Sequence, residues 1–249
     1  MDHYDNHALK ECKIWQMEMA RPPGVRDQLT KAAQVRINRL YPEKVHQVIT
    51  AAIKNMVKAV IEGADFTNRS PENYSNWAVM EEKVKERVKF YSTSAAAEGI
   101  ATGYGGILLT FADLPLWLTL KMKMLFELAA LYGYDTSKYR ERLFILYIFQ
   151  IAFCSQQQRN KTLPIIKNWN QHQNKLPNNI NDFDWRTFQI EYRDYLDIAK
   201  LFQMIPGFGA IVGGIVNHTH TQKLGRYAMN AYRSRLLDIE GFIQLDPLG

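Results

Sequence analysis

Apolar residues recur along most of the chain at intervals of three and four, the period of a helix with one buried face. Leu29, Ala33, Ile37 and Leu40 keep this spacing until Tyr41 meets Pro42, because the residue before a proline avoids the helical region. Pro42 then opens a second helix. Along it Val45, Val48, Ile49, Ala52, Met56, Val57 and Val60 form one stripe that ends near Gly63. Ser70 and Pro71 read as a cap and first turn of a third helix, which carries Trp77, Val84, Val88 and Tyr91 on one side. A fourth runs from Asp113, with Pro115 in its first turn, to Gly133. A fifth starts at Asp135 or Ser137 and continues through YRERLFILYIFQIAF. Residues 159–183, rich in Asn, Gln and Pro, read as a long polar connection. A helix resumes at DWRTFQIEYRDYLDIAKLFQ, Pro206 breaks it, and a last helix ends near Leu237. No run alternates apolar and polar as a strand does, so the predicted fold is all-α. Residues 1–25 form a polar lead-in and 26–249 a single helical domain, a bundle with two apolar, glycine-rich helices at its centre.

Those two stretches break the bulky pattern. Between Glu98 and Asp113 lie 14 uncharged residues that include Gly99, Gly103, Gly105 and Gly106. The second, PGFGAIVGGIV, holds Gly207, Gly209, Gly213 and Gly214. Its G-x-G-x-x-x-G spacing comes close to a dinucleotide fingerprint, but that motif needs a strand before it and a βαβ unit around it. The residues before Pro206 are helical by period, and only 43 follow it. Glycines four apart instead line one helix face and let a second backbone approach. An interior glycine costs a helix about 1 kcal/mol relative to alanine, so something else must hold these segments. Either they bury against each other in the core, or they insert partly into lipid. Neither is a plain span, since 14 residues of helix reach about 21 Å, short of a bilayer core.

Composition narrows the partners. The net charge is +6, with a pI near 9.2, which favours an anionic surface. Basic residues interleave with acidic ones rather than forming a block, so nucleic acid is not an expected partner. The C-terminal helix combines Lys223, Arg226, Arg233 and Arg235 with Tyr227 and Tyr232, a face suited to anionic headgroups. Two isolated cysteines, Cys12 and Cys154, support neither a disulfide framework nor a thiolate zinc site, and the polar N-terminus has no signal-peptide core. The expected location is the cytoplasm, at the inner face of the membrane where the protein binds it.

Two motifs resemble the EcsC protein family. One is ADLPLWLTLKMKMLFELAALYGYD, followed by an Arg-Glu-Arg helix, and the other IPGFGAIVGGIVNHTHTQKLGRYAMNAYRSRLL. The resemblance covers about residues 74–237. Where the family often carries an arginine inside the first motif, this chain has Lys121 and Lys123. The resemblance implies a helical, mostly bacterial protein, cytoplasmic or membrane-associated, and no agreed activity.

Candidate chemistry is sparse. Asp113, Trp117, Leu120, Met124, Glu127 and Leu131 share one helix face, but Asp113 and Glu127 stand about 21 Å apart, too far to act on one bond. Asp113 reads as a cap; Glu127, if buried, needs a partner such as Lys123 or a proton, and is the leading functional carboxylate. His218 and His220 point nearly opposite ways and cannot share a metal, while His3, His7 and Glu11 would align only on a polar terminus. No metal site and no cofactor are expected. The reading is a peripheral membrane-associated or lipid- or apolar-ligand-binding protein without a clear catalytic motif. The alternatives are a hydrolase that gathers Glu127, Asp113, Asp135 or His218, and a soluble scaffold for another protein.

Overall fold

The computed structural model describes residues 3–24, 43–63, 70–103, 114–178, 180–182 and 210–239. Within them run eight α-helices and no β-strand: α1 (His3–Ala20), α2 (Glu43–Glu62), α3 (Trp77–Gly103), α4 (Leu114–Leu131), α5 (Tyr139–Phe153), α6 (Gln156–Lys167), the short α7 (Trp169–Gln173) and α8 (Ala210–Ile239), with a 3-10 turn at Ile180–Asp182. The expected helices at 27–40 and 185–203 lie outside the described residues.

The long α8 is the axis of the bundle, and α1, α3, α4, α5 and α6 all pack on it. Its register against α3 is antiparallel. Gly214 meets Ile100, Gln222 reaches Ser92, Gly225 meets Val88 and Arg233 pairs with Glu81. Against α4 it is parallel, with Trp117 on Asn217, Lys121 on Thr221 and Tyr132 stacked on Tyr232. One end of the bundle therefore gathers the C-terminus of α3 and the N-termini of α4 and α8.

Two glycines set how closely α3 and α8 approach. A Cβ on Gly225 would lie 2.5 Å from Val88 Cγ1, and one on Gly214 would lie 2.8 Å from Ile100 Cγ1 and 3.1 Å from the Ala96 carbonyl oxygen. Gly99 is also buried on α3. Gly103 and Gly213 belong to α3 and α8, while Gly105, Gly106, Gly207 and Gly209 lie outside the described residues.

Local chemistry explains the helix ends. Gly133, at φ +81, takes the left-handed position after α4, where its N–H donates to Ala130 and that of Tyr134 to Ala129. Ser155 caps α6 by accepting from the Gln158 N–H. α3 starts later than the Ser70-Pro71 signal predicts: Asn76 is its cap, with Oδ1 accepting from the N–H groups of Ala78 and Val79. Nor does α3 stop near Tyr91, for it continues through the small residues to Gly103.

Two expected irregular regions are helical. The N-terminal lead-in is α1, which buries Ala8, Leu9, Cys12, Trp15 and Met19. The supposed connection after Arg159 holds most of α6 and all of α7, because Leu163, Ile166 and Trp169 drive it into the core at three-residue spacing. On α2 the stripe turns slightly from the expected face: Ala52, Met56, Val57 and Val60 are buried with Ile53 and Ile61, and Val48 is exposed.

Candidate functional site

The α3/α4/α8 end of the bundle brings together features that the rest of the described core lacks. Trp117 and Lys121 sit one turn apart on α4, facing Asn217 and Thr221, one turn apart on α8. Trp117 Nε1 donates to Asn217 Oδ1 at 2.7 Å, and Lys121 Nζ donates to Thr221 Oγ1 at 3.1 Å. The Lys121 ammonium also lies 4.0 Å from the centre of the Trp117 ring. Thr221 in turn donates its O–H to the Asn217 backbone carbonyl at 2.7 Å.

Lys121 is wholly buried. Burial drives its pKa down from 10.5 to about 7, against the opposing charge of Glu98 on α3. His220, one position before Thr221, packs against Phe153, and its Nδ1 is buried without a hydrogen-bond partner. Burial, then the charges of Lys223 and Lys121, push it down to about 4, so it is neutral at physiological pH. Lys223 completes the group, with Nζ donating to the Ala152 carbonyl and lying over Phe153 and Tyr227. Three basic nitrogens thus share a region with the carboxylate of Glu98.

Three large apolar side chains stand exposed among the described residues of this end. Ile100, Leu116 and Ile215 are 44%, 58% and 62% exposed on the three converging helices.

The residues singled out from sequence are placed differently. Glu127 pairs with Arg87 rather than Lys123: Nε and Nη2 lie 2.9 Å from Oε1 and Oε2, and Tyr91 donates to Oε2 at 2.8 Å. Its carboxylate is engaged in joining α4 to α3. Asp135 accepts from the Ser137 side chain and backbone N–H, which hold its pKa below the usual range and shape the turn before α5. The two are not brought to a common site, His218 is exposed, and Asp113 lies outside the described residues.

Two of the four expected headgroup contacts are corrected outright. Arg233 and Arg235 point into the bundle, 1% and 5% exposed, because carboxylates remote in sequence await them there. Arg233 grips Glu81 through two 2.6 Å bonds, and Arg235 grips Glu141 at 2.5 and 2.6 Å with its guanidinium over Tyr134. Arg226 is on the surface, paired with Glu18 at 2.8 Å. At the N-terminus Glu11 Oε2 bonds Arg233 at 2.8 Å and lies 4.0 Å from His7 Nδ1. The buried Lys121 is the functional candidate that sequence reading missed. Its signal was the pair of i, i+4 polar positions, Trp117/Lys121 and Asn217/Thr221, at equal separations along the chain.

The model of the EcsC protein family matches residues 6–237. The chain belongs to the EcsC family. It is 39% identical to Protein EcsC of Bacillus subtilis (strain 168) over 235 residues, which covers 94% of this chain and 97% of that one. It is 27% identical to the uncharacterized protein YdbA of the same organism over 189 residues, 76% of this chain and 68% of that one. No solved structure matches the chain at a significant level. The EcsC match extends over α1, so the N-terminal helix is part of the family's domain.

Proposed function

We propose that this EcsC-family protein associates peripherally with an anionic membrane through the α3/α4/α8 end. The observation that carries this reading is the exposed apolar rim of Ile100, Leu116 and Ile215, placed where both uncharged, glycine-rich stretches meet the bundle. Such a rim fits the headgroup and acyl boundary, where apolar side chains bury without leaving a span. No described helix is long and apolar enough to cross a membrane.

Electrostatics favour an anionic surface. α4 and α8 bring their positive N-terminal dipoles to this end, where the C-termini of α3 and α5 oppose them, so the attraction comes from net charge rather than from helix dipoles. The net charge of +6 adds long-range attraction to acidic lipid. The four basic residues of α8 are not its means, since Arg233, Arg235 and Lys223 turn inward and Arg226 pairs with Glu18.

Flotation with vesicles containing phosphatidylglycerol tests the proposal. Native protein should float at low salt and less so at high salt, because screening removes the long-range attraction. Leu116→Glu with Ile215→Glu should reduce binding by about tenfold or more, as each apolar insertion contributes on the order of 1–2 kcal/mol and each new carboxylate adds repulsion. Both positions are exposed, so the fold should survive. Native protein that stays in the heavy fraction, or a double variant that floats like native, would overturn the reading.

A further inference from the structure

Lys121 has an unusual arrangement for a buried ammonium. It makes one hydrogen bond, to Thr221, rests its charge on the Trp117 face, and lies within the field of Glu98 without forming an ion pair with it. A buried cation normally has its charge matched, and Arg87, Arg233 and Arg235 each lie against a carboxylate. Next to it the His220 Nδ1 is buried without a partner, and Lys223 adds a second ammonium. The spare N–H groups of Lys121 and the His220 Nδ1 thus lie buried near one another among the described residues of this end.

We propose that Lys121 receives the anionic head of an amphiphile, a carboxylate or phosphate ester on an alkyl chain, whose chain leaves along Trp117 toward Ile100, Leu116 and Ile215. An oxyanion would fill the spare N–H groups of Lys121, and His220 in the tautomer protonated on Nδ1 would donate a further bond. The Lys121 ammonium lies 4.0 Å from the centre of the Trp117 ring, so the head would sit at the level of that ring with the tail directed outward. The proposal rests on the membrane reading for the direction of the tail, and names the chemistry that the apolar end selects.

Calorimetric titration with dodecyl phosphate, dodecanol and inorganic phosphate, each below micelle concentration, tests it. The native chain should bind dodecyl phosphate at least about tenfold more tightly than dodecanol, and Lys121→Met should reduce that preference to less than about threefold. Lys123→Met, at an exposed position on the same helix, should leave it unchanged. Methionine fits the apolar surroundings of Lys121 and spares a buried charge, so the variant should fold. Native protein without the preference, or Lys121→Met that retains it, would overturn the head site. Inorganic phosphate bound as tightly as dodecyl phosphate would overturn the amphiphile in favour of a free anion. Vesicle flotation run in parallel separates the two readings. Native protein that floats but lacks the preference sinks the head site alone, and native protein that has the preference but fails to float sinks the membrane reading alone.

Discussion

At the scale of single residues, Lys121 carries a large electrostatic cost. Its pKa of about 7 lies below its ordinary 10.5, so between those values the unfolded chain holds a proton that the folded chain does not. Stability on this account rises with pH across that window, and below pH 7 the cost of the buried ammonium is carried in full. That cost is roughly 5 kcal/mol at 1.36 kcal/mol per tenfold. Lys121→Met removes it and loses the Thr221 hydrogen bond and the Trp117 contact, which together offset about 1–3 kcal/mol. The variant should therefore be more stable than native by about 2–4 kcal/mol at pH 6, and the gain should fade toward pH 10. Urea unfolding of both proteins across this range checks it, and a variant less stable than native at pH 6 would show that Glu98 matches the charge more fully than the geometry indicates. Little of this was legible in the sequence. A lysine within LTLKMKML reads as a solvated face, and burial follows only once α8 lies parallel to α4 and covers it. Arg233 and Arg235 were misread for the same reason, since Glu81 and Glu141 are far away along the chain.

At the scale of elements, helix contacts depend on where glycine permits approach. Gly225→Ala would place a methyl 2.5 and 2.6 Å from the two Cγ atoms of Val88, which is buried and cannot swing away. Overpacking of this kind costs about 1–3 kcal/mol, more than the roughly 1 kcal/mol that alanine gains in helix propensity. Val88→Ala removes the obstructing carbons, so a double-mutant cycle should give a coupling of about 1 kcal/mol or more in favour of the pair. Gly214→Ala behaves differently. Its nearest obstacle is Ile100, which is 44% exposed and can rotate, while the Ala96 carbonyl oxygen at 3.1 Å must give by a few tenths of an ångström, so the change should cost less than Gly225→Ala, about 1 kcal/mol net. Thermal unfolding of the four proteins distinguishes the two sites. Element ends were legible where punctuation is strong, as at Gly63 and Gly133. They were illegible where the buried face is polar or broken. α6 buries Gln156, Gln158 and Thr162 beside Leu163 and Ile166, and its polar composition masked the period. α1 spaces Ala8, Cys12, Trp15 and Met19 at four, three and four, but charged neighbours hid the stripe in what looked like a tail.

At the scale of the whole molecule, α8 is tied to the surrounding helices by ion pairs rather than by apolar contact alone. Arg233 joins it to α3 through Glu81 and to α1 through Glu11, and Arg235 joins it to α5 through Glu141. Tyr132 adds a 3.0 Å bond to Glu81 and so draws α4 into the same knot. Desolvating these charges is costly, and their mutual attraction only partly exceeds that cost. The consequence is asymmetric. Arg233→Met alone should destabilise by about 3–5 kcal/mol, because it leaves the Glu81 carboxylate, 0% exposed, without its guanidinium. Arg233→Met combined with Glu81→Leu should recover most of the loss, since an apolar pair of similar volume needs no compensation there. Chemical denaturation of the two variants tests this, and a double variant as unstable as the single one would mean that the knot holds the helices by geometry that apolar packing cannot replace. The knot lies at the opposite end of α8 from Lys121, so the double variant should also keep native flotation and the native preference for dodecyl phosphate. One end of the axis would then be devoted to holding the bundle together, and the other left to meet lipid.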